Sequence, residues 1–127
     1  MIDHITFGVS DFARSTAFYD GAFAPLGVKR LFTVPHEHSG GVDSTGYGDV
    51  RPWFWIAADD ATRGKLHVAL EAESRAQVDA FYVAAIAAGG KDNGPPGPRP
   101  HYHPDYYGAF VLDPDGHNIE AVCRKPA

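Results

Sequence analysis

One cysteine stands in the whole 127-residue sequence, and a lone Cys123 has no partner for a disulfide within the chain. Nothing in the composition therefore demands an oxidising compartment. Cys123 falls in the apolar alternation Ile119–Ala121–Cys123, which reads as a small buried hydrophobe rather than a reactive thiol. Cationic charge is also scarce: 11 Lys and Arg against 16 Asp and Glu leave a formal net charge of −5. Without a basic cluster, a nucleic-acid partner is not expected. Apolar runs of membrane-spanning length are missing, and Met1-Ile2-Asp3-His4 shows no charged and then apolar leader. A cytoplasmic protein with no membrane partner is the expectation. What remains is ordinary globular composition, 44% hydrophobic and 21% charged, long enough for a single domain, residues 1–127, with a real core.

What the sequence does contain is an echo of itself. Shifted by 63 positions, His4 falls on His67, Phe18-Tyr19 on Phe81-Tyr82, Ala22 on Ala85 and Gly27 on Gly90. Several matches at one offset predict two similar modules, about 1–60 and 63–125. Each opens with an alternating strand: Ile5, Phe7 and Val9 against His4, Thr6 and Gly8, then Leu66, Val68 and Leu70 against His67, Ala69 and Glu71,. A helix follows each strand. Ser10 is the expected cap of the first, which carries Phe12, Tyr19, Phe23 and Leu26 and stops at Pro25 and Gly27. Ser74-Arg-Ala-Gln77 is a capping box for the second, which carries Val78, Phe81, Ala85 and Ile86 and stops at Gly89-Gly90.

Three shorter strands should follow each helix, near 28–35, 43–49 and 52–58, and near 90–93, 106–113 and 117–123. His36 to Gly41 reads as a polar loop with its histidines in solvent. Asn93 to Pro104 is too rich in Pro and Gly for a central strand and reads as an ordered surface loop. It brings His101, Tyr102, His103, Tyr106 and Tyr107 toward whatever lies between the modules. Asp113-Pro-Asp-Gly116 reads as a tight turn joining the last two strands, with His117 beside it in a structural role.

Strand parity selects three residues. His4 and His67 lie on the face of their strands opposite the helix-facing apolar set, and Glu120 lies opposite Ile119 and Ala121 on the last strand. Two imidazoles and a carboxylate, next to small residues such as Gly8 and Ala69, form a ligand set for a six-coordinate divalent metal with positions open to substrate.

The run His4-Ile-Thr-Phe-Gly-Val-Ser-Asp-Phe-Ala-Arg-Ser-Thr-Ala-Phe-Tyr19 resembles the opening of glyoxalase I and other vicinal-oxygen-chelate proteins. Leu66-His67-Val68-Ala69 and Asp113-Pro-Asp-Gly-His-Asn-Ile-Glu120 resemble the first and last strands of their second module. The resemblance spans essentially the whole chain. It implies an α+β fold of two βαβββ modules, curled into a curved, partly open mixed β-barrel with helices outside. In metal-dependent members the ligands come from these strands, which implies His4, His67 and Glu120 as metal residues for Mn, Fe, Co, Ni or Zn.

The departures narrow the kinship. Where glyoxalase I has a fourth ligand, this chain has Pro52-Trp-Phe-Trp-Ile56, with Trp55 favoured over Phe54 at the position and no carboxylate. Phe110 stands where extradiol dioxygenases have a tyrosine, while His103 lies about where their distal histidine is expected. The resemblance thus implies a metal-dependent lyase or isomerase acting on a small molecule that chelates through adjacent oxygens. His103 and Tyr107 are the expected catalytic groups, and Trp53, Trp55, Tyr102, Tyr106, Arg99 and Phe110 the expected substrate contacts. A homodimer is expected to cover the edges of a half-barrel. The alternatives are a metal-free bleomycin-resistance-type binding protein and an extradiol-type dioxygenase.

Overall fold

The computed structural model describes residues 1–38 and 40–127; Ser39, in the polar loop, lies outside the described residues. The strands are β1 (Ile5–Gly8), β2 (Lys29–Val34), β3 (Ser44–Gly48), β4 (Pro52–Ala57), β5 (His67–Glu71), β6 (Lys91–Asp92), β7 (Gly97–Pro98), β8 (Tyr107–Leu112) and β9 (Asn118–Cys123), with helices α1 (Phe12–Phe23) and α2 (Arg75–Ala87). They form two sheets, ordered β1-β4-β3-β2 and β5-β9-β8-β6, with β7 added on β8. In each, the module's first strand pairs in parallel with its last. The two sheets repeat one plan, as the offset in the sequence predicts, and among the described residues they do not close into a barrel.

Alternation along the strands decides which face each sheet buries. Phe7 and Val9 are buried whereas Thr6 is exposed. Tyr19 of α1 packs on Phe54 with ring centres 5.0 Å apart, and Phe23 packs on Tyr47 at 5.8 Å. Val78, Phe81 and Ala85 of α2 join Ala109, Val111, Ile119 and Ala121 of the second sheet in the same continuous core. Helix thus covers one face of each sheet, and the opposite face carries His4, His67 and Glu120.

The caps differ in one respect from expectation. Asp11, not Ser10, caps α1, its side chain accepting from the Arg14 amide. Ser10 instead gives both its amide and its hydroxyl to Asp115. The Ser74 box holds: Ser74 accepts from the Gln77 amide at 3.1 Å, and Gln77 accepts from the Glu73 amide at 2.8 Å. The loop after Asn93 is not wholly irregular either, because Gly97–Pro98 pairs with Tyr107 and Gly108 as a short edge strand. An edge position spares the proline's missing donor.

The Asp113-Pro-Asp-Gly116 turn does more than join strands. Asp113 is buried and accepts from the Tyr19 hydroxyl of α1 at 2.5 Å, from the Asp115 amide and from the His117 amide, both at 2.9 Å. Asp115 holds Ser10, and the buried His117 ring meets Phe7 edge-on at 5.3 Å. One turn in the second module therefore ties down the strand–helix junction of the first. Removing the phenol leaves a buried carboxylate short of a donor, so Tyr19→Phe should destabilise the protein by about 1–3 kcal/mol. Urea unfolding followed by circular dichroism checks this; a shift below about 0.5 kcal/mol would deny the tie its role.

Candidate functional site

The uncovered face of the second sheet is organised around one carboxylate. Glu120 is 1% exposed, although no helix lies on its side of the sheet. It pairs across the strands with Ala69 and Phe110. Its Oε1 faces His67 Nε2 at 2.8 Å, and its Oε2 accepts from the Tyr106 hydroxyl. Gly108 makes that second bond possible: a Cβ there would stand 3.2 Å from Glu120 Oε2 and 3.1 Å from the Tyr106 ring. Tyr106, itself buried, is covered by the Arg124 guanidinium at 5.0 Å and by Tyr102 edge-on at 5.1 Å.

His67 also lines a groove of about 480 Å³ shared with Ile2, Asp3, His4, Arg51 and Trp53. The groove brings the two expected histidines to one space. His4 Nδ1 lies 2.7 Å from Asp3 Oδ1, and Arg51 donates to the other oxygen of Asp3 at 2.9 Å. The His4 contact first, and then Arg51, hold Asp3 below its ordinary carboxylate range. The tautomer that donates Nδ1–H to Asp3 has its lone pair on Nε2, which is the arrangement that metal-ligating histidines use.

The donor set can be tested for fit to a cation. Two ligand atoms each about 2.1 Å from one ion, at right angles, lie about 3 Å apart. The 2.8 Å between His67 Nε2 and Glu120 Oε1 is close to that spacing. Among the described residues, however, no three His, Cys, Asp or Glu side chains are gathered tightly enough to hold an ion. The structure thus assembles His67 with Glu120 and sets His4 in the same groove, apart from them.

Strand register also locates the position that lacks a carboxylate. Glu120 stands opposite Ala69, two residues beyond His67, and Trp55 stands opposite Thr6, two residues beyond His4. Trp55 is thus the first sheet's counterpart of Glu120. Its neighbour Phe54 is in the core.

The remaining expected residues divide. Trp53 lines the groove, its indole N–H donating to Asp49 at 3.3 Å. Phe110 sits 6.1 Å from the His67 ring, and the Arg99 guanidinium lies 5.5 Å from the centre of the Phe110 ring. Tyr102 is exposed on Tyr106. Tyr107 is a correction: one residue out of phase with Tyr106, it faces the helix, donating to Asp79 of α2 at 2.7 Å with Arg75 over its ring. It does not reach the Glu120 face. Tyr106, expected as a pocket wall, is instead the phenol that holds Glu120. His103 Nδ1 accepts from the Asp105 amide at 3.0 Å, in the turn that delivers Tyr106. His36 and His38 are exposed and His117 is buried, as expected.

The family model of the Glyoxalase/Bleomycin resistance protein/Dioxygenase superfamily matches residues 1–121. The chain belongs to this superfamily. Its fold is similar to that of a glyoxalase/bleomycin resistance protein from Albidiferax ferrireducens T118, at 31% identity and a TM-score of 0.74, covering 98% of this chain and 99% of that one. It is also similar to a glutamate-to-glutamine mutant of the fosfomycin resistance protein FosX from Listeria monocytogenes, complexed with Mn(II) and 1S,2S-dihydroxypropylphosphonic acid. There the identity is 21% and the TM-score 0.70, over 95% of this chain and 90% of that one. A glutamate-to-glutamine mutant of glyoxalase I from Zea mays matches at 20% identity and a TM-score of 0.72, over 99% of this chain and 46% of that one. No curated protein matches. This superfamily member also has no helix, among the described residues, long and apolar enough to cross a membrane.

The buried phenols supply a test. Burial first, and then the hydrogen bond to Glu120, raise the Tyr106 phenol above its ordinary value. Burial likewise raises Tyr19 and Tyr47. A raised pKa means the folded state holds the proton more tightly than the unfolded chain. The resulting stability is complete below the unfolded value of about 10 and is lost as pH climbs through the folded values. Phenolate absorbance in an alkaline titration should therefore show a late step coincident with unfolding, smaller by one phenol in Tyr106→Phe. An unchanged late step in that variant would contradict the assignment.

Proposed function

We propose that the chain is a divalent-metal-dependent enzyme of the glyoxalase type, a lyase or isomerase acting on a small molecule that presents two adjacent oxygens. The observation that carries this reading is the His67–Glu120 pair, whose 2.8 Å spacing suits neighbouring ligands of one ion. His67 Nε2, Glu120 Oε1 and, from the far wall of the groove, His4 Nε2 are the proposed ligands. Mn(II) in the FosX relative supports the choice of a divalent cation. When bound, such a cation polarises a ligated oxygen and stabilises negative charge developing on the substrate.

The chain's own side chains do the rest. Tyr106 donates to Glu120 Oε2, which leaves the other oxygen, Oε1, turned toward His67. Asp3 holds the Nδ1 proton of His4. Trp53 walls the groove beside His67, and Phe110 stands 6.1 Å from the His67 ring. His103 accepts at Nδ1, so its Nε2–H is the proposed donor to charge that develops on the substrate. We also read the chain as a cytoplasmic protein and as a homodimer, the latter since Phe32 is 58% exposed beside Trp55 on the uncovered face of the first sheet.

A second reading rests on the separation of His4 from the other two residues. With no three-ligand cluster among the described residues, the groove would serve as a metal-free binding site for an apolar or aromatic ligand against Trp53. Elemental analysis separates the two. Purified protein reconstituted with Mn(II), Fe(II), Co(II), Ni(II) or Zn(II) should keep close to one ion per chain after desalting. The double variant His67→Ala, Glu120→Gln should keep none. Retention of nothing by the wild type would leave the binding-protein reading in possession.

A further inference from the structure

A second cavity, of about 320 Å³, is bounded by Asn93, Gly94, Arg99, Tyr102, Phe110 and Asn118. From its walls we infer that it receives a carboxylate remote from the substrate's chelating oxygens, which makes the substrate a small hydroxy acid with a second acidic group. This rests on the proposed metal reading for one end of the molecule only.

The loop is built around the Arg99 side chain. Its Nη2 donates to the Pro95 carbonyl at 2.8 Å and its Nη1 to the Pro98 carbonyl at 3.4 Å. Both acceptors belong to residues whose own nitrogens cannot donate, so the stiff proline backbone offers oxygen without competing hydrogen. Two glycines make way for the guanidinium. A Cβ on Gly97 would stand 3.1 Å from Arg99 Nη1, and one on Gly94 would stand 3.4 Å from Nη2 and 3.0 Å from Phe110. Phe110 supports the guanidinium, its ring centre 5.5 Å from the central carbon.

A half-buried cation held this firmly ordinarily faces an acid. Among the described residues Arg99 makes no ion pair; the arginine ion pairs are Arg30 with Asp20 and Arg51 with Asp3. With Phe110 against its face and two N–H groups on carbonyls, the donors left over lie along the guanidinium edge. A planar carboxylate meets such an edge with two parallel bonds. Asn118 adds a complementary feature: its Oδ1 is enclosed and has no hydrogen-bond partner among the described residues. An enclosed acceptor wants a donor, and a small turn of the Asn118 side chain, which lines the cavity, would bring this oxygen to a hydroxyl on the ligand. Asn118 stands directly across from His67 in the strand register, so that hydroxyl would lie on the path from the Arg99 cavity to the His67–Glu120 pair.

Two probes of equal chain length isolate the remote carboxylate. 2-Hydroxypentanoate and 2-hydroxyglutarate present the same hydroxy-acid end, and only the second carries an acid at the other. Calorimetric titration of each into the full chain, with and without Mn(II), should show 2-hydroxyglutarate binding about tenfold tighter or more, the scale of a charge-assisted pair. Arg99→Gln should erase that gap while leaving 2-hydroxypentanoate within about twofold of its wild-type affinity. Arg99→Lys keeps charge and loses the fork, so it should retain a reduced gap; it decides the matter if Arg99→Gln does not fold. Equal affinities in the wild type, or a gap unchanged in the variants, would overturn the inference. The two readings fail separately. If Mn(II) moves neither affinity, the metal reading falls while an Arg99-dependent gap keeps the cavity; a metal effect without that gap sinks the cavity alone.

Discussion

The structure depends on satisfying one carboxyl group placed where water hardly reaches it. Burying an unpaired carboxylate is prohibitively costly, and Glu120 is 1% exposed. Its surroundings follow from that cost. His67 stands at one oxygen and the Tyr106 hydroxyl at the other. Gly108 is bare because a side chain there would crowd both the tyrosine and the carboxylate. Arg124 lies over the tyrosine ring. A buried carboxyl group with an imidazole at hydrogen-bonding distance is the feature on which the proposed cation site rests.

The fold delivers this arrangement by repetition. Each module gives one sheet face to a helix and leaves the other free, so a residue's parity on its strand decides whether it supports the core or faces the groove. Tyr106 and Tyr107 show how sharp that choice is. They are adjacent, yet one holds Glu120 and the other holds Asp79 of α2. The Asp113–Asp115 turn then ties the modules together through Tyr19 and Ser10.

Much of this was legible in the residues alone. The echo from His4 to His67 and the strand alternation locate both sheets, both helices and the Trp55 position, because burial imposes a period that the sequence must show. Three things were not legible. Tyr106, rather than Tyr107, faces Glu120, because the strand's start, and therefore its phase, is hidden by the preceding proline-rich loop. Ser10 gives up its expected capping role because Asp115, distant in sequence, offers it a better partner than the helix does. The Arg99 cradle depends on carbonyls of Pro95 and Pro98, and a backbone acceptor leaves no trace in residue type.

Superfamily membership places the chain among proteins whose reactions differ while their sheets agree. Its own local features are an aromatic at Trp55 opposite Thr6, and Phe110 near both the His67 ring and the Arg99 guanidinium. The most direct trial of the account is anomalous diffraction from crystals of the intact protein grown with Mn(II). The account predicts a peak within about 2.3 Å of His67 Nε2 and Glu120 Oε1, with His4 drawn to the same ion. Manganese bound elsewhere, or none at all with the His67–Glu120 hydrogen bond still closed, would contradict it.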